Sequence, residues 1–271
     1  TISIMLLTAG CSFVWGDELE GFDNNPPTHW GLTFTSIVAR KLGIDYANRG
    51  VCGASNDKIF REVTDFLHSH PDKDKVTHIV VMWSAWQRKE LAEYMPPERD
   101  VKIGRQNDVT QFSQLRTELI YDRDKRECMS NWFDTAYDSK TDIMHTLSKM
   151  KTLEVIAEAK GIKLIQGVFH NRNWSNIMSI ITDKLPDDSA GKIKQEHNRI
   201  DAMPEYKKWL VTSLGGLKDT SRVGMGRGRD LYTIGKDLDD IREHGHPGEE
   251  TQRVFSKFLL ETFEKSNENN I

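Results

Sequence analysis

This sequence predicts an α/β fold built on a parallel sheet with helices on both faces. Three features of the chain carry that prediction: short apolar runs that end at glycine or a polar loop, amphipathic stretches between them, and the alternation of the two. Residues 2–9 (ISIMLLTA), ending at Gly10, suit a first strand buried on both faces. A polar loop with Asn24-Asn25-Pro26-Pro27 follows, and residues 31–42 (GLTFTSIVARKL) place apolar side chains at helical spacing up to Gly43. Residues 44–48 read as a second strand and Gly50 to Gly53 as a tight loop. Ser55 or Asn56 then caps a helix that runs through residue 68.

Residues 76–83 (VTHIVVMW) are the clearest β run. The polar stretch 93–140 has weak periodicity, after which 141–160 form the best amphipathic helix, ended by Gly161. Residues 162–169 (IKLIQGVF) return as a strand. The stretch 170–235 is irregular, with a short helix around 204–213 and a glycine-rich run at 222–229 (RVGMGRGR). A terminal helix is expected over 247–264, opened by Pro247 and acids in its first turn. There is no internal repeat and no linker rich enough to divide the chain, so 1–271 is expected to be one domain.

The composition narrows the function. With 37% hydrophobic and 29% charged residues the chain is polar but able to fold, unlike a disordered segment. A net charge of −4 argues against a protein whose main role is gripping nucleic acid. Cys11, Cys52 and Cys128 form neither a disulfide framework nor a CxxC pair. They suit a reducing compartment or a secreted protein without bridges. No stretch approaches the roughly 20 apolar residues of a membrane span, and no membrane partner is expected. The opening Ile2 to Cys11 superficially matches a lipoprotein cleavage site, but it lacks a basic leader and its apolar run is too short. Synthesis and folding in the cytoplasm are therefore expected.

In open parallel sheets, ligands bind beyond the carboxyl ends of the strands. Three loops there hold chemistry-bearing residues. Gly10-Cys11-Ser12-Phe13-Val14-Trp15-Gly16-Asp17 follows the first strand, where backbone N–H groups can face a developing oxyanion. It is not a G-x-S-x-G elbow, because position 14 is Val; on its own Ser12 also fits a plain turn serine. Asn48 to Asn56 follows the second strand. Asp239-Asp240-Ile241-Arg242-Glu243-His244-Gly245-His246-Pro247 precedes the last helix, placing a candidate base beside carboxylates.

Together these blocks resemble the SGNH (GDSL-like) hydrolase family, in which a serine follows the first strand and a histidine precedes the last helix. Gly10-Cys11-Ser12 looks like a variant of the Gly-Asp-Ser block, Gly53 like the glycine whose N–H joins the oxyanion hole, and His246-Pro247 like the final block. The opening LTAGCSFVWGDEL, with Trp30-Gly31 at a helix start, is similar to members encoded by bacteriophages. The resemblance implies a three-layer α/β/α sandwich, flavodoxin-like, with a mostly parallel five-stranded sheet and insertions at about 93–140 and 170–235. It implies a serine esterase in which His246 deprotonates Ser12, Glu243 orients the imidazole, and the N–H groups of Ser12 and Gly53 bind the oxyanion. An ester-bearing small molecule or acetylated polysaccharide is the implied substrate. The runner-up is a non-catalytic or weakly catalytic scaffold that binds carbohydrate, with a place in a phage virion.

Two departures from the family pattern matter. The family places Asp three residues before the histidine, where this chain has Glu243; Asp240 and Asp239 are alternative acids. After Met82-Trp83 the chain reads Ser84-Ala85-Trp86-Gln87-Arg88, without the third block's asparagine, leaving Ser84 or Asn56 as side-chain donors. Losing one such donor costs about 10²- to 10³-fold in rate.

Trp15, Trp30, Trp83 and Trp86 lie near these loops, where aromatic faces can stack on sugar rings, although core packing is the commoner use. Trp15, Trp83, Trp86 and Arg88 are the expected substrate contacts, and Arg88 with Glu90 forms either a bracing ion pair or a solvated one. Residues 222–229 read as a flexible lid rather than a phosphate loop, since no strand-to-helix unit surrounds them. His244 and His246 with Asp239 and Asp240 also have the chemistry of metal ligands, but no third or fourth ligand cluster accompanies them. No metal and no cofactor is assigned.

Overall fold

The structure is a computed structural model that describes residues 4–21, 28–85, 89–94, 110–115, 139–169, 203–223, 230–243 and 245–268. Strand β1 (Met5–Gly10) leads into the short helix α1 (Ser12–Trp15), followed by α2 (Phe34–Leu42), β2 (Asp45–Gly50), α3 (Asn56–Ser69) and β3 (Val76–Trp83). Next come β4 (Lys89–Tyr94) and β5 (Thr110–Leu115), α4 (Ser139–Ala159), β6 (Lys163–Val168), α5 (Pro204–Gly215), α6 (Leu231–Asp237) and α7 (Glu249–Glu268).

Four strands make one parallel sheet in the order β2-β1-β3-β6. Gly10 pairs with Gly50, and Trp83 with Val168, so the carboxyl ends of the strands line up at one edge. The described residues thus give four parallel strands where five were expected. The other pair, β4 and β5, forms a separate antiparallel hairpin.

Position in the sheet explains each strand's composition. Central β1 is buried throughout, which accounts for its unbroken apolar run, while edge strand β2 is mostly exposed or half-buried. The α2–α7 pair and the α3–α4 pair cover the two faces of the sheet. Phe34 meets Phe255 edge-on at 5.3 Å, and the Phe34 N–H donates to Gln252 Oε1 at 2.9 Å. On the other side, Lys149 pairs with Asp57 at 2.7 Å and Asn56 Nδ2 donates to Thr146 Oγ1 at 3.1 Å. Local chemistry sets the helix ends: the Thr33 and Ser55 side chains accept from the N–H groups of Ser36 and Lys58.

A fully buried glutamine, Gln166, marks the β3–β6 seam. Its Oε1 accepts from Trp83 Nε1 at 3.0 Å, and its Nε2 donates to Met150 O at 2.9 Å and Ser221 Oγ at 3.0 Å. Both side-chain ends are satisfied, as burial demands.

His78, near the start of β3, carries a pH consequence. Its ring lies edge-on to Phe263 at 5.0 Å and opposite Lys163 across the sheet. Burial first, and then the Lys163 charge, push its pKa down from 6.5 to about 4. The folded state therefore holds His78 neutral where the unfolded chain would protonate it, so the unfolded state binds more protons in that interval. Stability is expected to fall as pH drops from about 6.5 to about 4. In denaturant titrations across that window, His78→Gln should lose stability less steeply than the native chain; an identical slope would contradict the assignment.

Candidate active site

Ser12 sits where β1 turns into α1, at the first helical position. The N–H groups of a first helical turn have no acceptor within the helix, so the Ser12 amide is available at the sheet edge. Asn48 Nδ2 donates to Val14 O at 2.8 Å and fixes α1 against β2. The approach is close: a Cβ on Gly50 would lie 2.4 Å from Trp15 N, so only glycine fits at the end of β2.

His246 arrives from the other end of the chain, between α6 and α7. Its Nε2 lies 2.9 Å from Ser12 Oγ, and its Nδ1 lies 2.7 Å from Glu18 Oε2. The same Glu18 oxygen accepts the His246 backbone N–H at 3.2 Å, and Phe13 meets the ring edge-on at 5.3 Å. Because a carboxylate only accepts, Nδ1 carries the hydrogen, leaving the Nε2 lone pair for the serine hydroxyl.

The acid is the main correction to the sequence-based expectation. Glu243, expected to orient the histidine, lies exposed in a turn closed by Gly245 N–H on Arg242 O at 2.9 Å. Asp240 is engaged elsewhere, since its Oδ2 accepts from Thr251 N at 2.7 Å and Thr251 Oγ1 at 2.9 Å and so caps α7. Asp239 is exposed. Glu18 instead stands in a turn of left-handed backbone, with Gly16 at φ 88° and Glu18 itself at φ 64°. That conformation disfavours a side-chain residue by about 1–2 kcal/mol, and such outliers gather at functional sites. The sequence holds one pointer to it, since Glu18 follows the serine within the same loop. The family spacing points only to acids near the histidine, and so passes it over.

Asp17 adds a second carboxylate. Its Oδ2 lies 3.5 Å from His246 Nε2 and accepts from Cys52 Sγ at 3.6 Å. The imidazole thus has an acid near each nitrogen.

The expected oxyanion donors divide. Gly53 lies at φ 76° in a turn closed by Ala54 N–H on Val51 O at 2.9 Å, and Val51 N–H bonds Gly10 O at 3.0 Å, tying the turn to the end of β1. Arg49 anchors the preceding strand to α3 through Glu62 at 2.8 Å. Burial pushes the Glu62 carboxyl up, but Lys58 and Arg49 outweigh it and hold the group below its usual range. Ser84 is buried, and among the described residues its Oγ has no hydrogen-bond partner. Asn56 does not fit the donor role. Its Oδ1 accepts from Ser84 N at 2.8 Å, while Nδ2 donates to Ser84 O at 3.2 Å and to Thr146 Oγ1, which occupies both of its hydrogens.

Trp83 is a second correction. It is fully buried and bonded to Gln166, so it builds the core rather than contacting substrate. Trp15 is half-buried and meets Trp30, which is 42% exposed, edge-on at 5.4 Å. Trp86, Arg88, His244 and most of the expected lid, residues 224–229, lie outside the described residues.

No family model and no curated protein matches this sequence. Solved structures do resemble it. They include a lipolytic protein of the G-D-S-L family from Veillonella parvula, at 13% identity and TM-score 0.42 over 96% of this chain and 98% of that one. The psychrotrophic esterase EstA from a Pseudoalteromonas species aligns at 10% identity and TM-score 0.45, over 97% and 98%. An acetyl xylan esterase, Est2A from Butyrivibrio proteoclasticus, aligns at 11% identity and TM-score 0.43, over 98% of this chain and 64% of that one.

A hydroxyl bonded to an imidazole that is itself fixed by a carboxylate is the arrangement of an activated nucleophile. Replacing the orienting acid in such a unit typically costs about 10⁴-fold. Glu18→Gln is therefore expected to slow reaction of Ser12 with a fluorophosphonate by roughly that factor, and Glu243→Gln to leave it within about twofold. Equal losses in both variants, measured as labelling rate constants, would contradict the placement.

Proposed function

We propose that this protein is a serine hydrolase of carboxylic esters that works through an acyl-enzyme on Ser12. One observation carries the proposal: the continuous chain of hydrogen bonds from Ser12 Oγ through His246 to Glu18, at 2.9 and 2.7 Å. In this mechanism Ser12 attacks the ester carbonyl as Nε2 takes its proton. Glu18 stabilises the imidazolium, which then protonates the departing alcohol. Water, deprotonated by the same nitrogen, releases the acid. The Ser12 and Gly53 amides serve as oxyanion donors.

Within that class we favour O-acetyl groups on carbohydrate. The half-buried Trp15 and exposed Trp30 support this, since aromatic faces beside a nucleophile suit sugar rings. A carbohydrate-binding scaffold with little catalysis is the alternative, favoured by the absent third-block asparagine.

The test is an ester panel that includes acetylated oligosaccharides, with the native protein, Ser12→Ala and His246→Ala compared by acid release and by fluorophosphonate labelling. Labelling confined to Ser12, with turnover lost by roughly 10³-fold or more in both variants, is the expected result. A folded native protein that takes no label and releases no acid would favour the scaffold.

A further inference from the structure

Asp17 has no place in the relay from Ser12 to Glu18, yet it stands beside the reacting atoms. Its Oδ2 lies 3.5 Å from His246 Nε2, the nitrogen that faces Ser12. Glu18 satisfies two donors of His246, whereas Asp17 receives the Cys52 thiol at 3.6 Å, and among the described residues it has no lysine or arginine partner. The backbone holds it there, since Asp17 N–H bonds Ser12 O at 3.1 Å. With only 19% of its side-chain surface exposed, the charge is only partly screened by water.

The position has a consequence for substrate choice. When the ester C–O bond breaks, the departing alkoxide takes its proton from Nε2, so the alcohol portion of a substrate passes within a few ångströms of that atom. It therefore passes beside Asp17. We propose that Asp17 is a specificity residue, a fixed negative charge on the leaving-group side that admits esters of uncharged or cationic alcohols and rejects esters whose alcohol carries a carboxylate or phosphate. The proposal rests on the hydrolase assignment above and adds to it the charge class of the substrate. On this account an acetylated neutral or amino sugar is accepted, and an ester flanked by an acidic group on the sugar is not.

The size of the effect follows from Coulomb's law. A like charge about 5 Å from Asp17, in a partly exposed site, lowers kcat/KM by about tenfold or more, and an opposite charge raises it correspondingly. The experiment uses three acetate esters of similar shape: acetylcholine, its uncharged tert-butyl isostere, and acetoxypropionate. kcat/KM is measured for each with the native protein and with Asp17→Asn, at low and high salt. The native protein should prefer them in that order, with cation favoured over anion by about a hundredfold. Asp17→Asn should shrink that ratio by about tenfold or more, and high salt should shrink it in the native protein but little in the variant.

A purely structural role for Asp17 would lower all three rates together and leave the ratio standing, which overturns the proposal. A native preference for the anionic ester overturns it as well. Fluorophosphonate labelling in parallel separates the two levels of inference. Ser12 labelled with an unchanged ratio sinks the charge gate alone, while an unlabelled Ser12 with no turnover of any ester sinks the hydrolase assignment and the gate with it.

Discussion

One imidazole joins the two ends of this chain into a single site. His246, just ahead of the last helix, is held by a residue of α1 on one side and by the turn after α1 on the other. The two side chains bonded to that ring come from far away in sequence. The Glu20 N–H donates to Glu249 at 3.0 Å, Arg242 pairs with Glu249, and Gln252 bonds both Phe34 N and Phe13 O. The start of α7 is therefore tied to the segment around Ser12 at two points, Glu249 with Glu20 and Gln252 with Phe13. The double acceptance by Glu18, from backbone and ring alike, fixes the orientation of the imidazole as well as its place.

The rest of the sheet edge supports this arrangement from below. Asn56 grips the backbone of Ser84 through both its N–H and its C=O, and so sets the first residue beyond β3 from the first turn of α3. Asn56, expected as a fallback oxyanion donor in place of the missing third-block asparagine, is instead the brace for Ser84. Acid is also concentrated here, with Glu18 and Asp17 flanking the two nitrogens of one ring. Two carboxylates so placed disfavour anions nearby.

The sheet is largely legible in the sequence because burial writes itself into composition. β3 spans the expected 76–83, and the helix after Ser55 runs as its cap and apolar spacing indicate. The hairpin of β4 and β5 is not legible, since the stretch around it shows weak periodicity. In the site, Ser12 and His246 stand out because each follows or precedes a well-patterned element. Glu18 does not, because its role depends on a left-handed turn that brings a residue shortly after the serine under an imidazole at the far end of the chain. Trp83 misleads for the opposite reason: nothing in a strand-end tryptophan distinguishes a sugar platform from a core residue until its indole N–H is seen bonded to a buried glutamine.

The central claim, that Glu18 holds the His246 Nδ1–H, is tested most directly by proton NMR of the imidazole. A hydrogen on Nδ1 shared with a carboxylate at 2.7 Å gives a resonance far downfield of the amide envelope, assignable through His246→Gln. The resonance should be present in the native protein and in Glu243→Gln, and absent or moved strongly upfield in Glu18→Gln. A signal that survives loss of Glu18 and vanishes with Glu243 would contradict the account at its root.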